Sequence, residues 1–496
     1  METQTKPGLN IPELEGISSE AISAFVAEAG ETLHDLHSFI LLRHGKVVAE
    51  GWWNPYTREL PHILFSLSKS FTSTAIGLLV DEGKLRVDTP VITFFPEECP
   101  PYISENLAAM RVKDLLTMTT GQAEDTMAAF YNQPELSWVQ SFLALPVEYK
   151  PGTHFVYNTG ATYMLSAIVQ KLSGSTLLDY LKPRLFVPLG ITQPSWEASP
   201  QGISTGGFGL SLRTDEVARF GQLYLQKGVW QGRTIISQGW VEEATTGQVP
   251  NGTDPASDWA QGYGYQFWRC RHGAYRGDGA FGQFCLVMPE QEAVLAVTSG
   301  LDDMQAVLNL VWKHLLPAMQ QATLPENPAA HQALVQKLGA LEIGPVQGKG
   351  NQDSPVARQV SGKKYLFDEN DRQLKSLSFD FDQGGTILTI ENDLGETRVN
   401  CGQGSWLKGQ SNLDGYGERK LAASGAWLAA ETYQARIYYL TPVLGPEPPL
   451  NSARNSPFSL TLTCRFSDDE VKVEYKLAQS FLPVKESRKT GRSLQG

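Results

Sequence analysis

The sequence predicts an α/β (α+β) fold: an antiparallel sheet flanked by helices with a helical cluster, followed by an all-β barrel or sandwich domain. Three observations carry this. Strand patterns sit at both ends of the first 320 or so residues, with a helix-rich middle between them. From about Thr323 the composition turns to Pro, Gly, Gln and Ala. Beyond that lie short alternating apolar runs separated by turn residues. A chain of 496 residues also exceeds what one core organises, so two or three domains are expected.

Taken in order, 18–30 reads as an opening helix, and 38–53 as a β-hairpin turning at His44-Gly45-Lys46. Residues 65–83 follow as a helix of small and aliphatic residues that Gly83 is placed to end. The middle then offers helices at 111–118, 135–144, 160–173, 175–186, 214–227 and 237–245. Strands return at 263–270, 281–289 and 293–299, and an amphipathic helix spans 303–319. The domains are expected at 1–322 and 359–484, joined by a linker over 323–358 with one short helix near 329–339. About eight strands are expected in the second domain, among them 374–382, 386–391, 431–440, 458–466 and 470–476. Residues 485–496 are polar and basic and read as a disordered tail.

The net charge of −12 argues against a nucleic-acid partner. No stretch approaches a membrane span, and Met-Glu-Thr-Gln-Thr-Lys-Pro-Gly carries no apolar signal region, so a cytoplasmic location is expected. Cys99, Cys270, Cys285, Cys401 and Cys464 are odd in number and far apart, which suits reduced thiols rather than a disulfide framework.

Ser66-Leu67-Ser68-Lys69 says most about function. A hydroxyl and an amine three residues apart share a helical face. A serine alcohol needs a base, and a lysine in apolar surroundings gives up its charge more easily. Phe71, Ala75, Ile76, Leu79 and Val80 mark the segment as core, where a merely solvated lysine does not belong. Tyr157, in Phe155-Val-Tyr-Asn-Thr-Gly160 just before a helix, could shuttle a proton if nearby cations lower its pKa. Taken alone it is better read as a ring packed under a helix start.

Together the segments form an ordered set: Ser66-x-x-Lys69, Val112-Lys-Asp-Leu-Leu-Thr-Met-Thr-Thr-Gly121, Pro151-Gly-x-x-Phe-x-Tyr157-Asn158, Gly206-Gly-Phe-Gly-Leu-Ser211 and Gly279-Ala-Phe-Gly-Gln283. Over roughly residues 20–320 this order resembles the β-lactamase-related serine hydrolases: class C β-lactamases, DD-peptidases, family VIII esterases, D-amino-acid amidases and 6-aminohexanoate-dimer hydrolases. The resemblance implies the class C β-lactamase/DD-peptidase fold and no cofactor or metal. It implies Ser66 as nucleophile, Lys69 as base and Tyr157 as proton shuttle. The amides of Ser66 and Ala280 would form the oxyanion hole, with Asn158, Gly279 and Gln283 beside them as substrate-binding residues. The substrate expected is a small-molecule or short-peptide amide or ester.

Two departures stand out. Asn158 follows the tyrosine directly and Thr159 takes the third place, closer to the esterase and amidase branches. The family's Lys/His-Thr/Ser-Gly strand motif is replaced by Ala274-Tyr-Arg276-Gly277-Asp278-Gly279. Other matches are set aside. Lys489-Thr490-Gly491 spells that motif in a charged tail, and Gly202-Ile-Ser204-Thr-Gly206 lacks the strand and helix a nucleophile elbow needs. Arg276-Gly277-Asp278 is an adhesion tripeptide by letters only, while His34 and His37 lack metal-site companions and read as surface residues. The hydrolase expectation competes with an acyltransferase using the same residues, a sensor that acylates and stalls, and an α/β-hydrolase acting through Ser204.

Overall fold

The structure, a computed structural model, describes residues 10–371, 373–413, 417–442, 458–479 and 486–493. The chain divides into two compact units: Met1–Trp52 with Pro61–Ala340, and Trp53–Leu60 with Leu341–Gly496.

In the first unit, α1 (Ser19–Thr32) is capped by Ser18, whose side chain accepts the Ala21 N–H. Strands β1 (Leu36–Arg43) and β2 (Lys46–Trp52) form the hairpin, and His44 and Gly45 both take the positive φ that such a tight turn demands. The chain returns to this sheet after the helical middle. Ala293–Ser299 pairs antiparallel with β1, then come Gln283–Met288, Tyr275–Gly279 and Trp268–Arg269. The sheet joins the two ends of the unit, as the strand–helix–strand order predicts. Phe25 of α1 meets Phe39 of β1 at 5.8 Å, and the helix Thr214–Leu225 packs against β1, Ala293–Ser299 and Gln283–Met288.

The Ser66 segment departs from expectation in detail. Phe65–Leu67 is a 3₁₀ turn, and α2 proper runs Ser68–Asp81, with Gly83 at φ +66° just beyond its end. The strand Tyr275–Gly279 was not expected, because glycine and aspartate are poor strand formers. It exists because its glycines let the backbone approach closely. A Cβ on Gly279 would stand 2.0 Å from the Leu64 carbonyl oxygen, and one on Gly277 would meet Leu67 and Ser70 at 2.5 Å. Conversely, 263–270 contributes only Trp268–Arg269 as a strand. His37 is not at the surface: it is fully buried, bonded to His62 at 2.8 Å and Asp35 at 3.2 Å, whereas His34 is exposed.

Among the described residues of the second unit ten strands form one sheet. Nine close into a barrel through Gly402 paired with Ser424, and Leu407–Ser411 lies alongside Arg419–Ala429. Phe379, Trp427, Tyr433 and Phe466 fill its interior with mutual ring contacts of 5.1–5.9 Å together with Phe381. Two expectations are corrected here. The stretch 323–358 is not a free linker: Pro328–Gly339 is a helix of the first unit, tied to α1 by Lys337 Nζ donating to the Ser23 carbonyl at 3.2 Å. The tail is not disordered throughout, since Glu486–Ser493 is a strand between Lys364–Phe367 and Glu470–Leu477. Its polar alternation hides the strand, and Gly491 lies against the Phe367 ring. Lys489-Thr490-Gly491 therefore does stand on a strand, but in the second unit's sheet, with Lys489 paired to Asp371.

All five cysteines are free thiols. Among the described residues no helix is long and apolar enough to cross a membrane, and no group of three or more His, Cys, Asp or Glu is placed to hold a metal ion.

Candidate active site

The small, hydroxyl-bearing residues of α2 tether the segment that faces it. Thr72 donates to the Gly206 carbonyl at 2.7 Å, and Ser68 Oγ accepts the Leu210 N–H at 3.1 Å. Between them Lys69, 1 % exposed, donates to the Gly207 carbonyl at 2.8 Å and lies 3.3 Å from Thr159 Oγ1. Its third partner is Ser66 Oγ at 3.0 Å. Gly207 has no room for a side chain, since a Cβ there would stand 2.7 Å from the Thr159 methyl group.

Burial drives the Lys69 amine down from its usual range to about 7, against the pull of Asp125 and Asp278. An amine in that state keeps two N–H groups for Gly207 and Thr159 and turns its lone pair to the Ser66 hydroxyl. Tyr157 is half-buried beside this cluster, its hydroxyl bonded to Ser66 and its ring 4.8 Å from Lys69 Nζ. Burial, with Asp278 adding to it, holds this phenol well above its ordinary value, so it stays protonated.

Backbone strain sits at Phe65, just before Ser66, and at Phe281, just after Ala280. Phe65 at φ +44° and Phe281 at φ +65° occupy a region that aromatic residues rarely enter, and their rings meet edge-on at 5.5 Å. Phe281 follows Ala280 in the turn after Gly279, the residue that closes against Leu64–Leu67. The two strained residues thus fix the turns that carry the Ser66 and Ala280 amides.

Two residues expected at the substrate have other work. Asn158 is fully buried and caps the helix Thr159–Ser173. Its Oδ1 accepts Thr126 Oγ1 at 2.8 Å and the Ala161 N–H, and its Nδ2 donates to Gln122 at 2.9 Å. Gln283, also fully buried, donates to the carbonyls of Ser299 at 2.7 Å and Ala280 at 3.0 Å, so it braces the Ala280 turn from behind. Both amides are saturated by the protein itself. Gly279 serves by lacking a side chain. Ser204 is 3 % exposed in an irregular loop, away from any strand-to-helix turn.

Sequence reasoning assigned no role to Thr159 or to the Gly207 carbonyl, although both lie in the quoted motifs. Trp268, stacked on Tyr157 at 5.3 Å, gave no signal in its apolar run.

The Beta-lactamase family model matches residues 37–310, more than half of the chain. The chain belongs to that family, whose members are serine hydrolases. It is similar to the 6-aminohexanoate-dimer hydrolase of Paenarthrobacter ureafaciens, 25 % identical over 54 % of this chain and 73 % of that one. It is also similar to penicillin-binding protein 4 of Amycolatopsis lactamdurans, 24 % identical over 53 % and 77 %. Among solved structures, a putative 6-aminohexanoate-dimer hydrolase from Bacillus anthracis superposes with a TM-score of 0.53 at 19 % identity, covering 64 % of this chain and 89 % of that one. A putative β-lactamase from Bacteroides dorei gives 0.51 at 18 %, over 60 % and 99 %. These superpositions show the fold.

Proposed function

We propose that the protein cleaves a small amide or ester through an acyl-enzyme on Ser66. The observation that carries this is Lys69 Nζ 3.0 Å from Ser66 Oγ, buried, poised near neutrality and with its other bonds taken by Gly207 and Thr159. Ser66 Oγ attacks the carbonyl carbon and passes its proton to Lys69 Nζ. The carbonyl oxygen becomes an oxyanion, received by the amides of Ser66 and Ala280. Tyr157 gives its proton to the leaving amine or alcohol and is reprotonated from Lys69. Water then attacks the acyl carbon, surrenders a proton to the same pair, and Ser66 leaves with its hydroxyl restored.

Charge narrows the substrate. On the strand Tyr275–Gly279 the cation, Arg276, is fully buried and turned to Asp278, so it does not face an incoming carboxylate. Asp278 is buried against Arg276, and the exposed Asp125 adds a negative charge near Lys69. A p-nitrophenyl ester should therefore be turned over in a sustained reaction, lost in Ser66→Ala. A chromogenic cephalosporin, which carries a carboxylate, should be slower by about two orders of magnitude in kcat/KM. Parity between the two would refute the charge argument, and a burst of one equivalent with no turnover would mean a stalled acyl-enzyme.

A further inference from the structure

One strand, Tyr275–Gly279, buries two opposite charges that no step of acyl transfer uses. Arg276 donates Nε to one oxygen of Asp278 at 2.9 Å, with Nη2 in ion-pair contact with the same oxygen at 2.8 Å. The guanidinium is itself fixed by the Asp258 carbonyl at 2.7 Å, Cys270 Sγ at 3.0 Å and the Trp259 ring at 4.3 Å. Asp278 also accepts a hydrogen bond from Trp268, its neighbour on the adjoining strand, where Trp268 pairs with Arg276. The Trp268 ring lies on Tyr157 at 5.3 Å and 22°, and Tyr263 meets Tyr157 edge-on at 6.3 Å.

We propose that Asp278, locked by Arg276, is the positioning residue for Tyr157 and acts through the indole of Trp268. The inference rests on the Ser66 acyl-enzyme reading. A buried ion pair is weak evidence for stability, because well-packed apolar residues of the same volume commonly do as well. It does supply direction. A phenol that must reach both Ser66 and a leaving group needs its ring held in one plane. Stacking alone leaves that plane free to slide, whereas an indole whose N–H is pinned to a rigid carboxylate does not. The pair also keeps the wall neutral. The charged and titratable groups that face Lys69 are Asp125 from the loop before Met127–Asn132, Asp278 from the strand, and Tyr157 from the start of the Thr159–Ser173 helix. Arg276 and Asp278 act on the Tyr157 hydroxyl in opposite senses. Removing the Asp278 charge alone leaves the guanidinium unbalanced beside Tyr157 and takes from Lys69 a carboxylate that favours its ammonium.

The test is the pH profile of ester hydrolysis by the full-length chain. Asp278→Asn should lower kcat about tenfold or more at a nearly unchanged KM. It should also move the acid limb down by about half a pH unit or more, because the Asp278 carboxylate that favours the Lys69 ammonium is lost. Trp268→Phe keeps a stacked ring but loses the N–H, and should lower kcat with the limb in place. Wild-type kcat and limb in Asp278→Asn, or full kcat in Trp268→Phe, would overturn the proposal. If Asp278→Asn fails to fold, judged by thermal melting, the Trp268→Phe result decides alone. Fluorophosphonate labelling of the wild-type chain keeps the two readings apart: no adduct on Ser66 sinks the acyl-enzyme itself, whereas labelling with unaffected variants sinks only the positioning role.

Discussion

Lys69 is held against its own preference. In the unfolded chain its amine titrates near 10.5, and in the fold near 7. Between those values the unfolded chain binds the extra proton, so stability rises with pH across that window. Below about 7 the folded protein bears the whole cost of the buried ammonium, roughly 4 to 5 kcal/mol. Lys69→Met should therefore abolish turnover yet narrow or reverse the loss expected of a mutated core, by an amount that depends on pH. Its stability relative to wild type, from denaturant melts, should be most favourable near pH 6 and fall steadily towards pH 10. A difference that does not change with pH would mean that Lys69 is not buried uncharged. The same residue shows what sequence could tell. Ser66-x-x-Lys69 within an apolar run sufficed to bring a serine hydroxyl against a buried lysine, since spacing on a helix is a local property. The partners of Asn158 and Gln283 could not be read in this way, because an amide looks the same in sequence whether it faces a substrate or a neighbouring carbonyl. Only burial and partners 36 or 16 residues away decide that.

The strand Tyr275–Gly279 was illegible for a related reason. Arg-Gly-Asp-Gly has no strand pattern, and its place in the sheet is set by what it must avoid. Gly277 and Gly279 allow it to lie against Leu64–Ser70, and so bring the Ala280 turn to Ser66. Gly279→Ala would place a methyl group 2.0 Å from the Leu64 carbonyl and 3.2 Å from the Leu67 nitrogen. That clash is with backbone, so the strand must move. Losing one oxyanion donor costs on the order of a hundredfold or more in kcat. Gly279→Ala should show at least that loss, with the Lys69-dependent acid limb unmoved. A variant with normal kcat would mean that the Ala280 amide has no part in the oxyanion hole. By contrast the hairpin β1–β2, α2 and the helix Thr159–Ser173 were readable within a few residues, because periodicity, caps and turn glycines all agree there.

For the whole molecule, the two units differ in how well their limits could be read. The change in composition near Thr323 is real but falls before the helix Pro328–Gly339, which binds α1 through Lys337 and through Asn327 donating to Glu20 at 2.6 Å. A boundary set by composition therefore cuts away part of the first unit, and the division after Ala340 does not. A chain ending at Ala340 should melt higher, and label at Ser66 faster, than one ending at Ala322. Equal melting temperatures would show that the Pro328–Gly339 helix adds nothing to the first unit. Within the barrel, the alternation of Phe458–Phe466 and Glu470–Leu477 was legible, whereas Glu486–Ser493 was masked by its charged outward residues.

The central claim is that Ser66 is a nucleophile activated by an adjacent neutral lysine. The measurement that bears on it most directly is the rate of fluorophosphonate labelling as a function of pH, with the adduct located by peptide mapping. The account predicts one adduct, on the peptide containing Ser66, at a rate that rises with pH through a midpoint at about 7, the value to which burial brings Lys69. In Lys69→Arg, whose guanidinium cannot give up its proton in this range, that rise should vanish. An adduct on Ser204, or Ser66 labelling in Lys69→Arg with the wild-type rate and pH profile, would contradict it.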